Sequence, residues 1–240
     1  MPAEILLCIP GPWTERGDFF RHVLMHETPG RYMYAGGIFA DVQAKDHVML
    51  EFCDAYPQMR EAFEAGGHGR LSDELLQQIE AHRSVLYLHF PADAVDQRER
   101  ILKYTQIFQR LGGIALKVES AGITHSWERW FELMSSHTFD QYTALCTLIG
   151  GQSCYHSFGM HHFGRPDCEV PASIEIGEAA DLMNQFNMYQ IVENPELTSG
   201  HTFSVDESAP IYRLSHQADE RYEADDPFHN PNGIWRLDPK

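Results

Sequence analysis

The residues best suited to chemistry are concentrated in the window Ser153–Val170, which reads S-C-Y-H-S-F-G-M-H-H-F-G-R-P-D-C-E-V. This window holds two of the chain's five cysteines and three of its fourteen histidines. Thiolates and imidazoles are the ligands that zinc prefers, and four of them would close a tetrahedral site. The four potential ligands are Cys154, His156, His161 or His162, and Cys168.

The spacing of these ligands does not favour a zinc site. Structural zinc sites usually carry two close ligand pairs, each on one tight turn, whereas this window reads C-x-H-x4-H-H-x5-C. Cys154 and His156 would share one face of a strand, so only one pair is supported. The favoured interpretation is that the cysteines are small buried hydrophobes and that the histidines cap a surface turn. We therefore expect no cofactor and no bound metal.

Familiar catalytic motifs are missing from the sequence. It contains no G-x-S-x-G, no H-E-x-x-H and no C-x-x-C. Cys154 is the best candidate for a reactive thiol, because His156 lies two residues away and a reactive thiol needs a nearby cation. A metal- or thiol-dependent hydrolase centred on residues 153–170 stays open as an alternative to a protein that is not an enzyme.

Charge is the strongest global signal. The chain has 35 acidic and 18 basic residues, which gives a formal net charge of −17. Such a surface repels phosphate backbones and anionic membranes, and it speeds encounter with a basic protein. Acidic residues cluster near the C-terminus. The candidate partner-binding residues are Asp219, Glu220, Glu223, Asp225 and Asp226, together with His161 and His162.

Three features of the sequence predict a cytoplasmic location. The early apolar run Ile5–Ile9 has no basic segment before it, so it does not resemble a signal peptide, and no apolar run approaches the roughly 20 residues that cross a bilayer. An odd number of irregularly spaced cysteines is typical of reduced thiols.

Hydrophobic periodicity predicts an α+β fold with helices packed on antiparallel sheets. Residues 1–120 give the order β-α-β-β-α-α-β-α-β, which favours a ferredoxin-like arrangement. Residues 121–240 give a shorter α-β-β-α-β-β half. We expect a single compact unit over residues 1–240, with 1–120 and 121–240 as two closely packed α+β halves if it divides.

Four local predictions can be compared directly with the structure. Tyr32–Val42 reads as one strand in which Gly36-Gly37 marks a bulge or a close backbone approach, and Tyr142–Ile149 reads as another strand. Gly150-Gly151 predicts a hairpin, because both positions can adopt positive φ. Trp235 and Leu237 are expected to hold the acidic tail against the body of the protein.

The run Y-H-S-F-G-M-H-H-F-G-R-P-D-C-E-V, followed by a helix and N-Q-F-N-M-Y, resembles an uncharacterised bacterial domain family of unknown function. The family pattern is Tyr-x-x-Gly-Met/Leu-x-x-Phe-Gly-x-x-Glu. Tyr155, Phe158-Gly159-Met160 and Phe163-Gly164 match it, while its acidic end is displaced to Asp167 and Glu169. The resemblance covers roughly Ser120–Leu237 and implies no catalytic residues. It implies an association with toxins and type VI secretion, in which small acidic α+β proteins act as immunity proteins.

Charge, missing catalytic motifs and this resemblance together predict a cytoplasmic immunity protein, monomeric or homodimeric. Its partner would be a basic secreted toxin, such as a nuclease effector, which it would neutralise by occlusion. A secretion-system adaptor or chaperone is the other alternative to an enzyme.

Overall fold

The computed structural model describes residues 3–240 and has an α+β fold, as the sequence predicts. Over these residues the chain forms seven α-helices and two sheets. It divides into two compact units. The N-terminal unit comprises Ile5–Pro91 and Asp96–Ala144, and the C-terminal unit comprises Leu145–Lys240 with Ala92–Val95 and residues 3–4.

The N-terminal unit contains a seven-stranded sheet with the strand order β2-β3-β4-β5-β1-β6-β7. Its strands are β1 (Glu4–Gly11), β2 (Tyr32–Ala35), β3 (Ile38–Asp41), β4 (Asp46–Asp54), β5 (Ser84–Pro91), β6 (Leu116–Val118) and β7 (Ile123–His125). The helices in this part of the chain are α1 (Arg16–His26), α2 (Met59–Gly67), α3 (Asp73–Glu80), α4 (Ala94–Arg110), α5 (Trp127–Met134) and α6 (Thr138–Leu145).

The predicted ferredoxin-like arrangement is present in the middle of this sheet. Strands β6, β1, β5 and β4 are neighbours in that order, and α4 connects β5 to β6. The amide of Arg83, just before β5, donates to the carbonyl of Gly11 at the end of β1, so these two central strands run antiparallel. The hairpin β2-β3 and strand β7 extend the four strands at either edge.

The segment predicted as one bulged strand is instead the hairpin β2-β3. Gly36 and Gly37 form its two-residue turn with φ of 59° and 78°, values that only glycine adopts at little cost. The prediction of a bulge was therefore wrong. The alternative, a close backbone approach, is wrong as well, because a Cβ at Gly37 would lie 3.9 Å from the carbonyl oxygen of Leu50.

The C-terminal unit contains a six-stranded sheet with the order β11-β12-β13-β10-β9-β8. Its strands are β8 (Thr147–Gly150), β9 (Cys154–Phe158), β10 (Asp167–Pro171), β11 (Thr202–Phe203), β12 (Tyr212–Gln217) and β13 (Ile234–Pro239), and its helix is α7 (Ile176–Glu193). Strands β10 and β13 pair in parallel, and every other neighbouring pair is antiparallel.

Helix α7 covers one face of this sheet. The buried side chains Leu182, Met183 and Phe186 on the helix lie in one apolar cluster with Trp235 and Leu237 on β13. Burying side chains of this size contributes roughly 1.5–3 kcal/mol each. The prediction that Trp235 and Leu237 anchor the tail is confirmed.

The predicted strand Tyr142–Ile149 is wrong over its first half. Residues up to Leu145 complete α6, and only Thr147–Gly150 is a strand. A short apolar run has the same composition in a buried helix and in a buried strand, so periodicity does not separate them. The hairpin β8-β9 after it is confirmed, but its glycines have no positive φ. Gly151 is instead a close approach, since a Cβ there would lie 2.7 Å from the carbonyl oxygen of Cys154.

Candidate functional site

The central strands of the C-terminal sheet have one apolar face and one polar face. Along β10, Cys168 and Val170 point toward α7, and the alternate residues Asp167 and Glu169 point the other way. Glu169 pairs with His156 on β9 and with Arg236 on β13, so these side chains share the polar face. We call this surface the polar face of the C-terminal sheet.

The structure separates Cys168 from two of the other potential zinc ligands, Cys154 and His156. Cys168 lies in the apolar cluster under α7, with its Sγ 4.0 Å from the carbonyl oxygen of Met183. Cys154 is on the polar face, with its Sγ 3.8 Å from Oε2 of Glu169. Burial raises the pKa of the Cys168 thiol to about 12, which keeps it protonated. Within residues 3–240, no three His, Cys, Asp or Glu side chains are arranged to hold a metal.

One guanidinium links two buried carboxylates on the polar face. Arg221 donates from Nε to Oδ1 of Asp219 at 2.8 Å and from Nη2 to Oδ2 of Asp167 at 3.2 Å. Asn230 donates from Nδ2 to the same Asp167 oxygen at 3.0 Å, and its amide donates to Oδ2 of Asp219 at 3.1 Å. Asp167, Asp219, Arg221 and Asn230 are called the Arg221 cluster below.

The Arg221 cluster contains more negative than positive charge. Burial raises the pKa of Asp219, but hydrogen bonds from Arg221 and from the Asn230 amide outweigh it, and the pKa falls below its usual value. For Asp167 burial dominates and raises the pKa from 3.8 to about 6, against the hydrogen bond from Asn230 and the attraction of Arg221. The guanidinium therefore stabilises mainly the Asp219 carboxylate. The negative charge of Asp167 is the one that the cluster does not fully compensate.

The two adjacent histidines are not on the surface. They lie on a 3₁₀ turn, Met160–Phe163, where His161 is 1% exposed and His162 is fully buried. Nδ1 of His162 lies 2.9 Å from the carbonyl oxygen of Leu145, and the two imidazole rings are 4.1 Å apart. Burial lowers the pKa of His161 to about 4. Because both side chains are buried, the expectation that they cap a surface turn and contact a partner is corrected.

The acidic stretch forms a loop that is fixed at both ends by the Arg221 cluster. Asp219, one of the predicted partner-binding residues, is buried and paired with Arg221 within that cluster. Its role is therefore structural, which corrects the prediction that it contacts a partner. Glu220, Glu223 and Asp225 are exposed, and Asp226 is half-buried with its Oδ1 accepting from the Phe228 amide at 2.8 Å. Residues 219–230 are called the acidic loop below.

Aromatic packing supports the middle of the acidic loop. The rings of Tyr222 and Phe228 lie 5.6 Å apart, and they lie 5.7 and 5.3 Å from the ring of Phe158 on β9. Aromatic pairs at these separations contribute about 0.5–1.5 kcal/mol beyond the area they bury. The loop is therefore held in place by its buried and half-buried side chains, while three of its carboxylates face solvent.

Reasoning from the sequence missed Arg221 and Asn230 as the residues that organise this region. A signal was present, because Arg221 is the only basic residue in the segment Q-A-D-E-R-Y-E-A-D-D at residues 217–226. A lone cation among carboxylates is the residue most readily drawn into an ion pair. Its second partner, Asp167, is 54 residues away in sequence, and no local pattern shows that contact.

Comparison with known proteins concerns the C-terminal part of the chain. Residues 156–238 match the model of a domain of unknown function (DUF4261), so this part of the chain is similar to that family. The resemblance to such a domain is confirmed over this range, which contains the entire Arg221 cluster and the acidic loop. No curated protein and no solved structure matches the chain significantly.

No helix within residues 3–240 combines the length and the apolar character that a bilayer crossing requires.

Proposed function

We propose that this chain is a cytoplasmic binding protein whose acidic loop engages a basic protein partner. The observation that carries the proposal is the contrast within that loop. Its buried members, Asp219 and Asn230, fix the backbone, and Glu220, Glu223 and Asp225 remain exposed. A loop already ordered before association loses less conformational entropy on binding, which favours affinity.

The proposed partner is a secreted antibacterial toxin, and the chain is its immunity protein. The formal net charge of −17 favours steering of a basic protein toward this surface. Occlusion needs no chemistry from the immunity protein, and the separation of Cys168 from Cys154 and His156 gives a metal-dependent hydrolase little support. The choice of a toxin rests on the association with immunity proteins that the sequence resemblance implies.

The test is affinity purification of the tagged chain from its own host at low salt, followed by native mass spectrometry. We expect a complex with one basic protein. The loop variant Glu220→Lys, Glu223→Lys and Asp225→Lys should not recover it. A control with Glu64→Lys, Glu99→Lys and Glu207→Lys changes the net charge equally at exposed sites elsewhere and should recover it.

Recovery of the same protein by both variants would overturn the assignment of the loop as the interface. Expression of the recovered partner in a sensitive strain then separates two kinds of binding protein. An immunity protein restores growth, whereas an adaptor or chaperone of a secretion system binds without protecting the cell.

A further inference from the structure

We propose that a groove between α7 and β11 binds a segment of a basic protein in which Lys or Arg flank an aliphatic or aromatic side chain. The groove has a volume of about 930 Å³ and lies within the C-terminal unit. The inference rests on the proposed function in that it assigns the anchoring segment of the same basic partner. The groove is nevertheless a separate surface, because none of its lining residues belongs to the acidic loop.

The floor of the groove is apolar. Phe203 on β11 lies 5.6 Å from the ring of Tyr189 on α7, and the buried side chain of Leu214 lies beneath them. The walls contain Val192, which is 59% exposed, and Val205, which is 36% exposed. Exposed apolar side chains gathered in a concave surface mark a binding site more often than isolated ones do.

The charge of the groove selects the occupant. Glu193 and Glu196 line it and are exposed, and no Lys or Arg occurs among its described lining residues. Arg213 on the neighbouring strand β12 points away from α7, because it alternates with Tyr212 and Leu214, which face that helix. A cationic segment with an apolar anchor complements both the floor and the rim.

The test uses a fluorescein-labelled synthetic peptide, Lys-Leu-Lys-Phe-Lys-Leu-Lys, in fluorescence anisotropy titrations with the full chain. Two comparison peptides carry Glu in place of Lys, or Ser in place of Leu and Phe. We expect saturable binding of the basic amphipathic peptide, and binding at least about tenfold weaker for both comparison peptides.

Charge variants on α7 and just after its end locate the binding site. Glu193→Lys with Glu196→Lys should weaken binding at least about tenfold, and Lys near the end of the helix suits its dipole, so the fold should be retained. Glu178→Lys with Asp181→Lys makes the same charge change on exposed positions of the same helix outside the groove, and should leave affinity within about twofold. Val192→Ser, which removes apolar surface from the groove wall without changing its charge, should also weaken peptide binding.

Three results would overturn the inference: no saturable binding of the basic peptide, equal binding of the acidic peptide, or equal loss of binding in the groove variant (193 and 196) and the control variant (178 and 181). None of these results decides the proposed function. That proposal is tested separately, by whether the acidic loop variant still recovers the partner. Conversely, peptide binding lost only in the groove variant, with no partner recovered from the host, would support the groove and contradict the proposed partner.

Discussion

Arg221 is the residue on which the polar face of the C-terminal sheet depends most. Its side chain is 22% exposed, whereas the carboxylates of its two partners, Asp167 and Asp219, are fully buried. A buried ion pair adds little net stability, because its formation removes charges from water, but loss of one partner leaves an uncompensated charge inside the protein. Removal of the guanidinium leaves two such charges.

We therefore expect Arg221→Met to lower the free energy of unfolding by about 3 kcal/mol, as for other buried ion pairs that lose one partner. Urea denaturation at neutral pH measures it. Arg213→Met, at an exposed position of β12, is the control and should change stability by no more than about 0.5 kcal/mol. Adding Asp167→Asn and Asp219→Asn to Arg221→Met should recover part of the loss. Equal stability of the Arg221 and Arg213 variants would contradict the account.

The raised pKa of Asp167 predicts how the stability of the protein depends on pH. Its pKa is raised from 3.8 to about 6, so between these values the folded state holds a proton that the unfolded state has released. Stability falls as pH rises wherever the folded state binds more protons. The contribution of Asp167 is thus greatest at low pH and is lost as pH rises through about 6.

Asp167→Asn removes this titration. We expect the unfolding free energy of the wild type, minus that of Asp167→Asn, to decrease from about pH 4 to about pH 6 and then to level off. Urea denaturation across this range measures the difference, and any constant offset from altered hydrogen bonds does not affect the trend. A difference that increases with pH would show that Arg221 lowers the pKa of Asp167 instead.

At the scale of elements, Gly159 places the histidine-bearing turn after β9. It has φ of 110°, and a Cβ at this position would lie 2.4 Å from the carbonyl oxygen of Leu145. The turn after it, Met160–Phe163, buries both histidines, and the Met160 amide donates to Oδ1 of Asp167 at 3.2 Å. A side chain at Gly159 would displace all of these contacts.

Gly159→Ala should therefore lower the free energy of unfolding by about 2 kcal/mol or more, through backbone strain and steric overlap together. Gly164→Ala is the matched control, because Gly164 also has positive φ, 65°, but a Cβ there would meet no other atom within 4 Å. Strain alone should cost about 1 kcal/mol at that position. Urea denaturation of both variants measures the two losses, and equal losses would show that the close approach to Leu145 is unimportant.

Elements whose determinants are local can be predicted from the sequence. Ser72 and Ser126 are typical helix-starting residues, and the side chain of each accepts a hydrogen bond from the backbone three residues later, at Leu75 and Arg129. The ferredoxin-like order follows from the alternation of strands and helices. Strand β10 was missed, because Gly164-Arg165-Pro166 before it indicates a turn and its parallel partner β13 is remote in sequence.

The candidate site depends on contacts that no local pattern contains. The acidic loop is recognisable by composition, yet its division into buried Asp219 and exposed Glu220 depends on Arg221 reaching Asp167. Cys154 and Cys168 are close in sequence, which suggests a shared site. The two-residue period of β10 places Cys168 in the apolar cluster instead.

At the scale of the whole molecule, the excess of carboxylates gives the surface a long-range field. With a formal net charge of −17, a basic protein is attracted from any direction, and the attraction is screened beyond about 8 Å at physiological salt. Net charge alone therefore favours encounter without fixing a binding orientation. The central claim is narrower: the exposed carboxylates of the acidic loop act locally.

The most direct test of that claim is the association rate of the recovered basic partner as a function of salt, measured by stopped-flow fluorescence. Three chains are compared: the wild type, the acidic loop variant with lysine at 220, 223 and 225, and the control variant with lysine at 64, 99 and 207. The two variants have the same net charge, so any difference between them reports position.

We expect the loop variant to associate at least about tenfold more slowly than the control at low salt, with a flatter salt dependence, because rim charges act mainly on the association rate. Equal rates and equal salt slopes for the two variants would contradict the account. That result would show that the partner responds to the total charge of the chain and that the acidic loop is not its interface.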